Sequence, residues 1–550
     1  MKLKIHPEHW VLLAISAWIT RVCAGMLSWS PRGDLIAGSY SIWGDWSAHF
    51  TFIEAFRERG AGWITGDNPL FAGEPFRYPF LSHLLTAGAS ILTGGNTVLA
   101  TEGLSLSLLF ILPFLIHRFF NASGFSSRSS LFSTLLFLFM GGWQWMDGSL
   151  SSSEPLTNQF QKGSVFTQFV LFEIYPQRAF LFGMVIFLWI LTSWMKRTRP
   201  GFSVTTLHAL GLSLLVFTHL HSWIAMGTLL LMMACFPSDT GPDRKSRWTL
   251  GFLTLLFSIP GLAHLFLRPS EFGLSWDLWL PGWAQHSTAG LAAASEMGFA
   301  GFWLYNTGLF LVLAGAETGL RVKNPDTRAL VIAGIILFLI PLFFNLQPYF
   351  YDNLKTFTYA FLFLAPFAGS ALERLLTWGR IPLAARWALL LLVLISQTGS
   401  ALADFRFFDR GMQKTVFFTE EEFTLAERFK AIRSSPEALS LIVPRHNHWL
   451  PCLTGTPLVM GYPGWLWSWG ISYSSREAEI KEILSGGVRA EEWIRKYALR
   501  YFAMPLQQGQ PEPGVNGAFF DSRYPRVLES PSWRVYSFTE TIKSPSTSVR

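Results

Sequence analysis

Gly44-Asp45-Trp46-Ser47-Ala48-His49 follows a first apolar run at 10–28 and lies in a loop, 29–79, that leads to the next one. A carboxylate followed one helical turn later by histidine is costly to keep beside lipid. Its presence there reads as chemistry on a membrane-held substrate. Outward from this stretch, apolar segments recur near 80–95, 98–116, 130–146, 178–195, 205–218, 220–236, 249–267, 299–319, 329–346, 355–373 and 384–403. A crossing takes roughly 20 apolar residues, so the pattern predicts an α-helical polytopic membrane domain of about 11–13 spans. Composition agrees: half the residues are hydrophobic, 14% are charged and phenylalanine occurs 50 times.

The net charge of +7 is modest. Lys and Arg gather in short loops rather than on one basic face, which argues against a nucleic-acid partner. The 24 tryptophans suit interfacial belts, where an apolar ring with an N–H donor is at home. Cys23, Cys235 and Cys452 form neither a disulfide framework nor a zinc spacing. Lys2 and Lys4 precede the first apolar run and no small-residue cleavage site follows. This predicts an uncleaved first helix with its N-terminus in the cytoplasm.

From 405 onward charges such as Glu420-Glu421-Glu422 become frequent and no span is seen. The chain therefore divides into a membrane domain, 1–404, and a soluble domain, 405–550. Basic loops at Lys196-Arg197-Thr198-Arg199, Arg244-Lys245-Ser246-Arg247, Arg321-Val322-Lys323 and Arg380 to Arg386 orient the second half. By the positive-inside rule they face the cytoplasm, which puts the C-terminal domain on the extracytoplasmic side of the cytoplasmic (inner) membrane. The first half gives a parity conflict. Either 80–95 is a partly embedded surface segment, or 164–177 crosses. The tail reads as a small α/β unit with strands at 440–443, 458–460, 501–504 and 533–538. Helices are expected at 474–484, capped by Ser474 or Ser475, and at 490–499, and Ser544 to Arg550 are expected to fray.

Asp45 and His49 are four apart and share a helical face. The run 46–56 has the spacing of a helix lying on a membrane surface. Asp45 is a candidate general base with His49 holding it, a metal or a phosphate. The alternative makes Asp45 an N-cap and His49 an interfacial side chain. Residues 68–81, rich in Pro and Gly, form a turn re-entering the membrane. Arg77 and Tyr78 stand at that edge, where a guanidinium grips a phosphate bidentately or snorkels.

A short N-terminus, one span, a long external loop opening with an acidic residue, a tyrosine-proline re-entry (Tyr78-Pro79) and an external α/β tail resemble the GT-C superfamily. These are integral-membrane glycosyltransferases that use polyprenyl-phosphate-linked sugars. The resemblance implies that Asp45 activates an acceptor hydroxyl for attack on the anomeric carbon, with inversion and transfer of a hexose or pentose. It implies as partners a polyprenyl-phosphate sugar, membrane lipids and a lipid, glycan or protein acceptor. Asp45 is single, flanked by Gly44 and Trp46, where several families carry a paired acidic motif. A divalent metal ion is therefore left open.

Other polar groups mark span ends. Asp352-Asn353-Leu354-Lys355 stands at an expected external mouth, with Lys355 suited to a carrier phosphate and Asp352 to a sugar or metal. His219-Leu220-His221 and His446-Asn447-His448 are two His-x-His pairs. They would share a metal only on extended backbone, and otherwise contact polar substrate or serve structure. Glu173, Gln177 and Arg178 open another span and suit an acceptor or phosphate. The loop Gly461 to Gly470, with Trp465, Trp467 and Trp469, is a candidate lid. No glycine-rich phosphate cradle argues for a soluble nucleotide-sugar donor. The competing readings are a transporter or flippase for a lipid-linked or anionic substrate, and a non-catalytic assembly protein. No internal repeat of the transporter kind is seen.

Overall fold

The computed structural model describes residues 7–147, 154–156, 159, 162–165, 168–236, 241–267, 278–285, 292–321 and 325–539. Lys2, Lys4, Lys323, parts of the 164–177 stretch and the Ser544–Arg550 tail lie wholly or partly outside them. The chain forms two compact units. One comprises 1–27, 102–266 and 277–414, the other 28–101, 267–276 and 415–550.

The first unit is helical and apolar. Among the described residues five helices are long and apolar enough to cross a membrane, the bent pair Gly298–Thr307 and Phe310–Arg321 making a sixth at most. Shorter apolar helices at Leu81–Thr93, Phe202–Thr218, Leu220–Cys235 and Thr327–Phe343 account for further apolar runs. These shorter helices correspond to the runs among the expected 11–13 that are too short to cross alone without neighbours. The pair breaks by 97° at Gly308, whose φ of +56° lies in the left-handed region that glycine tolerates. Leu354–Thr377 is the central helix, buried continuously from Leu354 to Ser370. It packs on Ser127–Leu138, Phe310–Arg321 and Pro325–Phe343. Peripheral helices instead turn Leu207, Phe252 and Leu392 outward, as lipid-facing surfaces do.

The second unit joins the first loop to the tail. Ser440–Ile442 pairs in parallel with Tyr501–Gln507, which pairs antiparallel with Trp533–Ser537, and that strand with Arg526–Glu529. Leu35–Ala37 from the first loop pairs antiparallel with Thr415–Phe418 from the tail. The Leu458 amide donates to the Pro69 carbonyl (2.7 Å) and the Gly461 amide to that of Leu70 (2.7 Å). The expected 404/405 boundary falls inside the helix Leu383–Asp409. The units part at 414/415, and loop 29–79 folds with the tail because its backbone is bonded there.

The strands expected near 440, 501 and 533 and the helices Ser474–Ser485 and Ala490–Lys496 are present. Residues 458–460 contribute only an isolated bridge, Leu458 to Ser440. The Ser474 helix is preceded by Tyr473 with no side-chain cap. The helix Tyr40–Arg59 is no membrane-surface helix either. Residues 46–56 are all buried, because helices Leu81–Ser90 and Trp449–Thr454 pack against it.

Candidate functional site

Asp45 lies within the Tyr40–Arg59 helix, whose N-cap is Ser39. Asp45 is therefore not an N-cap; it is half-buried in the second turn, one turn before the buried His49. The His49 Nδ1 lies 2.7 Å from His83 Nε2, with the two rings stacked at 5.0 Å. Helix Leu81–Ser90 carries His83. Phe52 and Tyr78 close around that ring at 5.3 and 5.8 Å, and Trp469 from the aromatic tail loop packs on both. Arg77 pairs with the buried Glu74, which fixes its guanidinium in the turn before helix Leu81–Ser90.

His446 approaches the same helix. Its ring bonds the Gly44 backbone and packs on Trp43 (5.1 Å), Tyr462 (3.6 Å) and Trp465 (5.3 Å). Burial pushes its pKa below the usual imidazole range, an effect the Gly44 bond opposes. The next side chain, Asn447, bonds the Trp43 carbonyl and the Ser47 hydroxyl at 3.0 Å each. His448 does something else. It is fully buried, and its Nδ1 accepts the Leu450 amide (3.2 Å) as the cap of helix Trp449–Thr454. Burial, with the Arg445 charge, holds it well below the usual range. A neutral ring is what a capping acceptor requires.

The helical unit carries the remaining candidates. Arg178 is fully buried at the start of helix Arg178–Met195, donating to Ser105 Oγ (3.0 Å). A π-helical turn, Val170–Ile174, containing the buried Glu173 precedes it, a local form frequent at functional sites. His219 joins helices Phe202–Thr218 and Leu220–Cys235. Its Nδ1 meets Ser222 Oγ at 2.8 Å, and Tyr359 donates to the same hydroxyl at 2.7 Å. His221, beside it with ring centroids 5.3 Å apart, keeps a buried Nε2 with no hydrogen-bond partner among the described residues. Lys355 pairs with Asp352 at 2.7 Å and is nearly buried. Asn353 spends its amide on the Pro341 and Phe344 carbonyls (3.1 and 2.9 Å) and the Leu346 amide (3.1 Å), which builds the turn rather than a ligand site.

Asp45, His49, Arg77, Tyr78, His446 and His448 thus belong to one unit, and Arg178, His219, His221, Asp352, Asn353 and Lys355 to the other. Among the described residues no three His, Cys, Asp or Glu side chains group as a metal site. The Nδ1 atoms of His219 and His448 are engaged by Ser222 and the Leu450 amide, so neither His-x-His pair fits a metal. Sequence reasoning missed His83, Ser222 and Tyr359. For His83 a signal existed, since it is the only ionisable residue in the apolar run 80–95.

The fold is that of solved GT-C glycosyltransferases. The oligosaccharyltransferase AglB from Archaeoglobus fulgidus, solved with an inhibitory peptide and a dolichol-phosphate, is similar with a TM-score of 0.52 and 11% identity, over 98% of this chain and 74% of that one. Arabinofuranosyltransferase AftD from Mycobacteria gives 0.56 and 14%, over 97% of this chain and 40% of its own. ArnT from Cupriavidus metallidurans, bound to undecaprenyl phosphate, gives 0.50 and 15%, over 97% and 98%. No family model matches the chain, and no curated protein does. With its apolar helices and this fold, the chain is a membrane protein.

Proposed function

We propose that the protein is an inverting glycosyltransferase that moves a hexose or pentose from a polyprenyl-phosphate carrier to an extracytoplasmic acceptor. The observation that supports the reading is a half-buried carboxylate, Asp45, on the Tyr40–Arg59 helix of the first long loop of a GT-C fold, its following residues 46–56 buried within its own unit. Neighbours in that fold were solved with dolichol-phosphate and undecaprenyl phosphate. In the reaction Asp45 takes the proton of the acceptor hydroxyl as its oxygen attacks the anomeric carbon. The bond from that carbon to the phosphate oxygen breaks, and the polyprenyl phosphate leaves with the electron pair. Arg77, in the unit that carries Asp45, is assigned to phosphate charge. His49, Tyr78 and His446, in the same unit, are assigned to sugar or acceptor. The basic loops support the cytoplasmic membrane as the location, with residues 415–550 outside.

The test incubates purified protein and Asp45→Asn with radiolabelled polyprenyl-phosphate sugars, following lipid-phosphate release and donor binding. Turnover by the parent is expected to fall about 10²–10⁴-fold in the variant, the usual worth of a positioned base, while donor binding persists. Donor binding without turnover, equal in parent and variant, would refute the reading and favour a transporter.

A further inference from the structure

Two imidazoles at 2.7 Å constrain each other. One ring nitrogen must carry the proton and the other must offer its lone pair, so each ring's tautomer is set by its partner. Both histidines are buried, His49 at 3% and His83 at 0% exposed. Ordinary core packing would need neither of them, since aromatic or aliphatic side chains fill such space without a desolvation cost. The surroundings fix the pair further. Phe52 stands edge-on to His83 at 5.3 Å, and Tyr78 flanks it at 5.8 Å. His49 is also on the face that carries Asp45, and helical side chains lean toward the N-terminus, that is, toward the preceding turn.

We propose that His83 is a positioning residue for this site: its Nε2 holds His49 in one rotamer and one tautomer on the turn next to Asp45. The inference rests on the transferase reading and adds a residue that acts through another rather than on substrate. With His83 in place, His49 presents a ring of defined hydrogen-bonding character to whatever Asp45 activates. Without it, the His49 ring loses the partner that sets its tautomer and one of the contacts that hold its rotamer. The chemical step should suffer, because small misplacements of a catalytic constellation cost rate rather than ground-state affinity.

Three substitutions separate this from a packing role. Glutamine places its amide nitrogen where Nε2 of histidine stands; asparagine is too short to do so; phenylalanine fills the space with no polar atom. The assay is steady-state transfer from a polyprenyl-phosphate sugar by the full-length protein, with thermal unfolding and donor binding measured on each variant. For His83→Phe, kcat is expected to fall about tenfold or more with donor KM within about twofold. His83→Asn should resemble it, and His83→Gln should recover most of the rate. Undiminished kcat in His83→Phe, or equal losses in all three variants, overturns the proposal while parent turnover leaves the transferase reading standing. No turnover by the parent overturns both.

Discussion

Replacing Glu422 by glutamine should stabilise the protein at pH 8 and leave it unchanged near pH 4.5. The helix Glu420–Ile432 opens with a capping box: Thr419 Oγ1 accepts the Glu422 amide (3.2 Å), and the Glu422 carboxylate accepts the Thr419 amide (2.9 Å). Burial pushes this carboxyl up to about 7, the neighbouring Glu421 adding to the rise while the Thr419 bonds and Arg445 oppose it. A raised carboxyl binds its proton more tightly folded than unfolded. Between about 4.5 and about 7 the folded state keeps a proton that the unfolded chain has released, so stability falls as pH rises through that window and is flat above it.

A shift of that size would cost at most about 3.4 kcal/mol at 1.36 kcal/mol per unit. Residual solvent contact at Glu422 screens part of it, which leaves about 1–2 kcal/mol. Glutamine keeps the capping box, since its amide oxygen still accepts the Thr419 amide, and it carries no charge. The gain corresponds to a rise of about 2–8 °C in Tm at pH 8 for a unit of this size. Thermal unfolding of full-length Glu422→Gln and parent, followed by tryptophan fluorescence at pH 4.5 and pH 8, reads it directly. Equal melting at pH 8, or the same gain at both pH values, would refute the reasoning.

Arg476 is buried, donates to the Ala72 and Val459 carbonyls, and lies over Phe71 (4.3 Å) and Tyr497 (5.0 Å). Arg476→Ala should cost about 3–5 kcal/mol through two stranded carbonyls and lost packing; a change in Tm below about 2 °C would contradict that. Cys235 is the exposed cysteine, Cys23 and Cys452 being buried. A membrane-impermeant maleimide should therefore label Cys235 in inside-out vesicles and not in intact spheroplasts. Labelling from outside would invert the orientation drawn from the basic loops.

Long apolar periods made the helical body legible, because lipid demands them regardless of sequence detail. The tail was legible too, as alternating strands and amphipathic helices. What could not be read was long-range pairing. Nothing local tells Leu35–Ala37 to bond Thr415–Phe418, so loop 29–79 was counted with the membrane domain. Apolar spacing at 46–56 matched a surface helix, yet the same residues are buried on all sides, because the partners covering the other face come from the tail. In the site, isolated ionisable residues were visible as costs. Their uses were not: His448 and Asn353 resemble ligands in sequence and serve a cap and a turn in structure. Ser222 and Tyr359 carried no signal, since a hydroxyl in an apolar helix is common and only geometry shows it meeting His219.

The helix bearing Asp45 is gripped by tail residues along most of its length. Trp43 donates to the Val416 carbonyl (3.2 Å) and packs on His446. The Cys452 thiol reaches the Ser47 carbonyl (3.4 Å), and the Thr51 hydroxyl reaches the Cys452 sulfur (3.5 Å). Farther along, Gly455, at φ +65°, lies so close that a Cβ there would meet the Glu54 backbone at 2.7 Å, and Glu58 pairs with Arg433. These contacts are backbone carbonyls, small atoms and buried ions, which tolerate little displacement. The orientation of Asp45 is therefore set by chain some 400 residues away, not by the apolar run that precedes it. Residues 28–101 and 415–550 form one scaffold, so the tail is part of what aims the proposed base rather than an accessory.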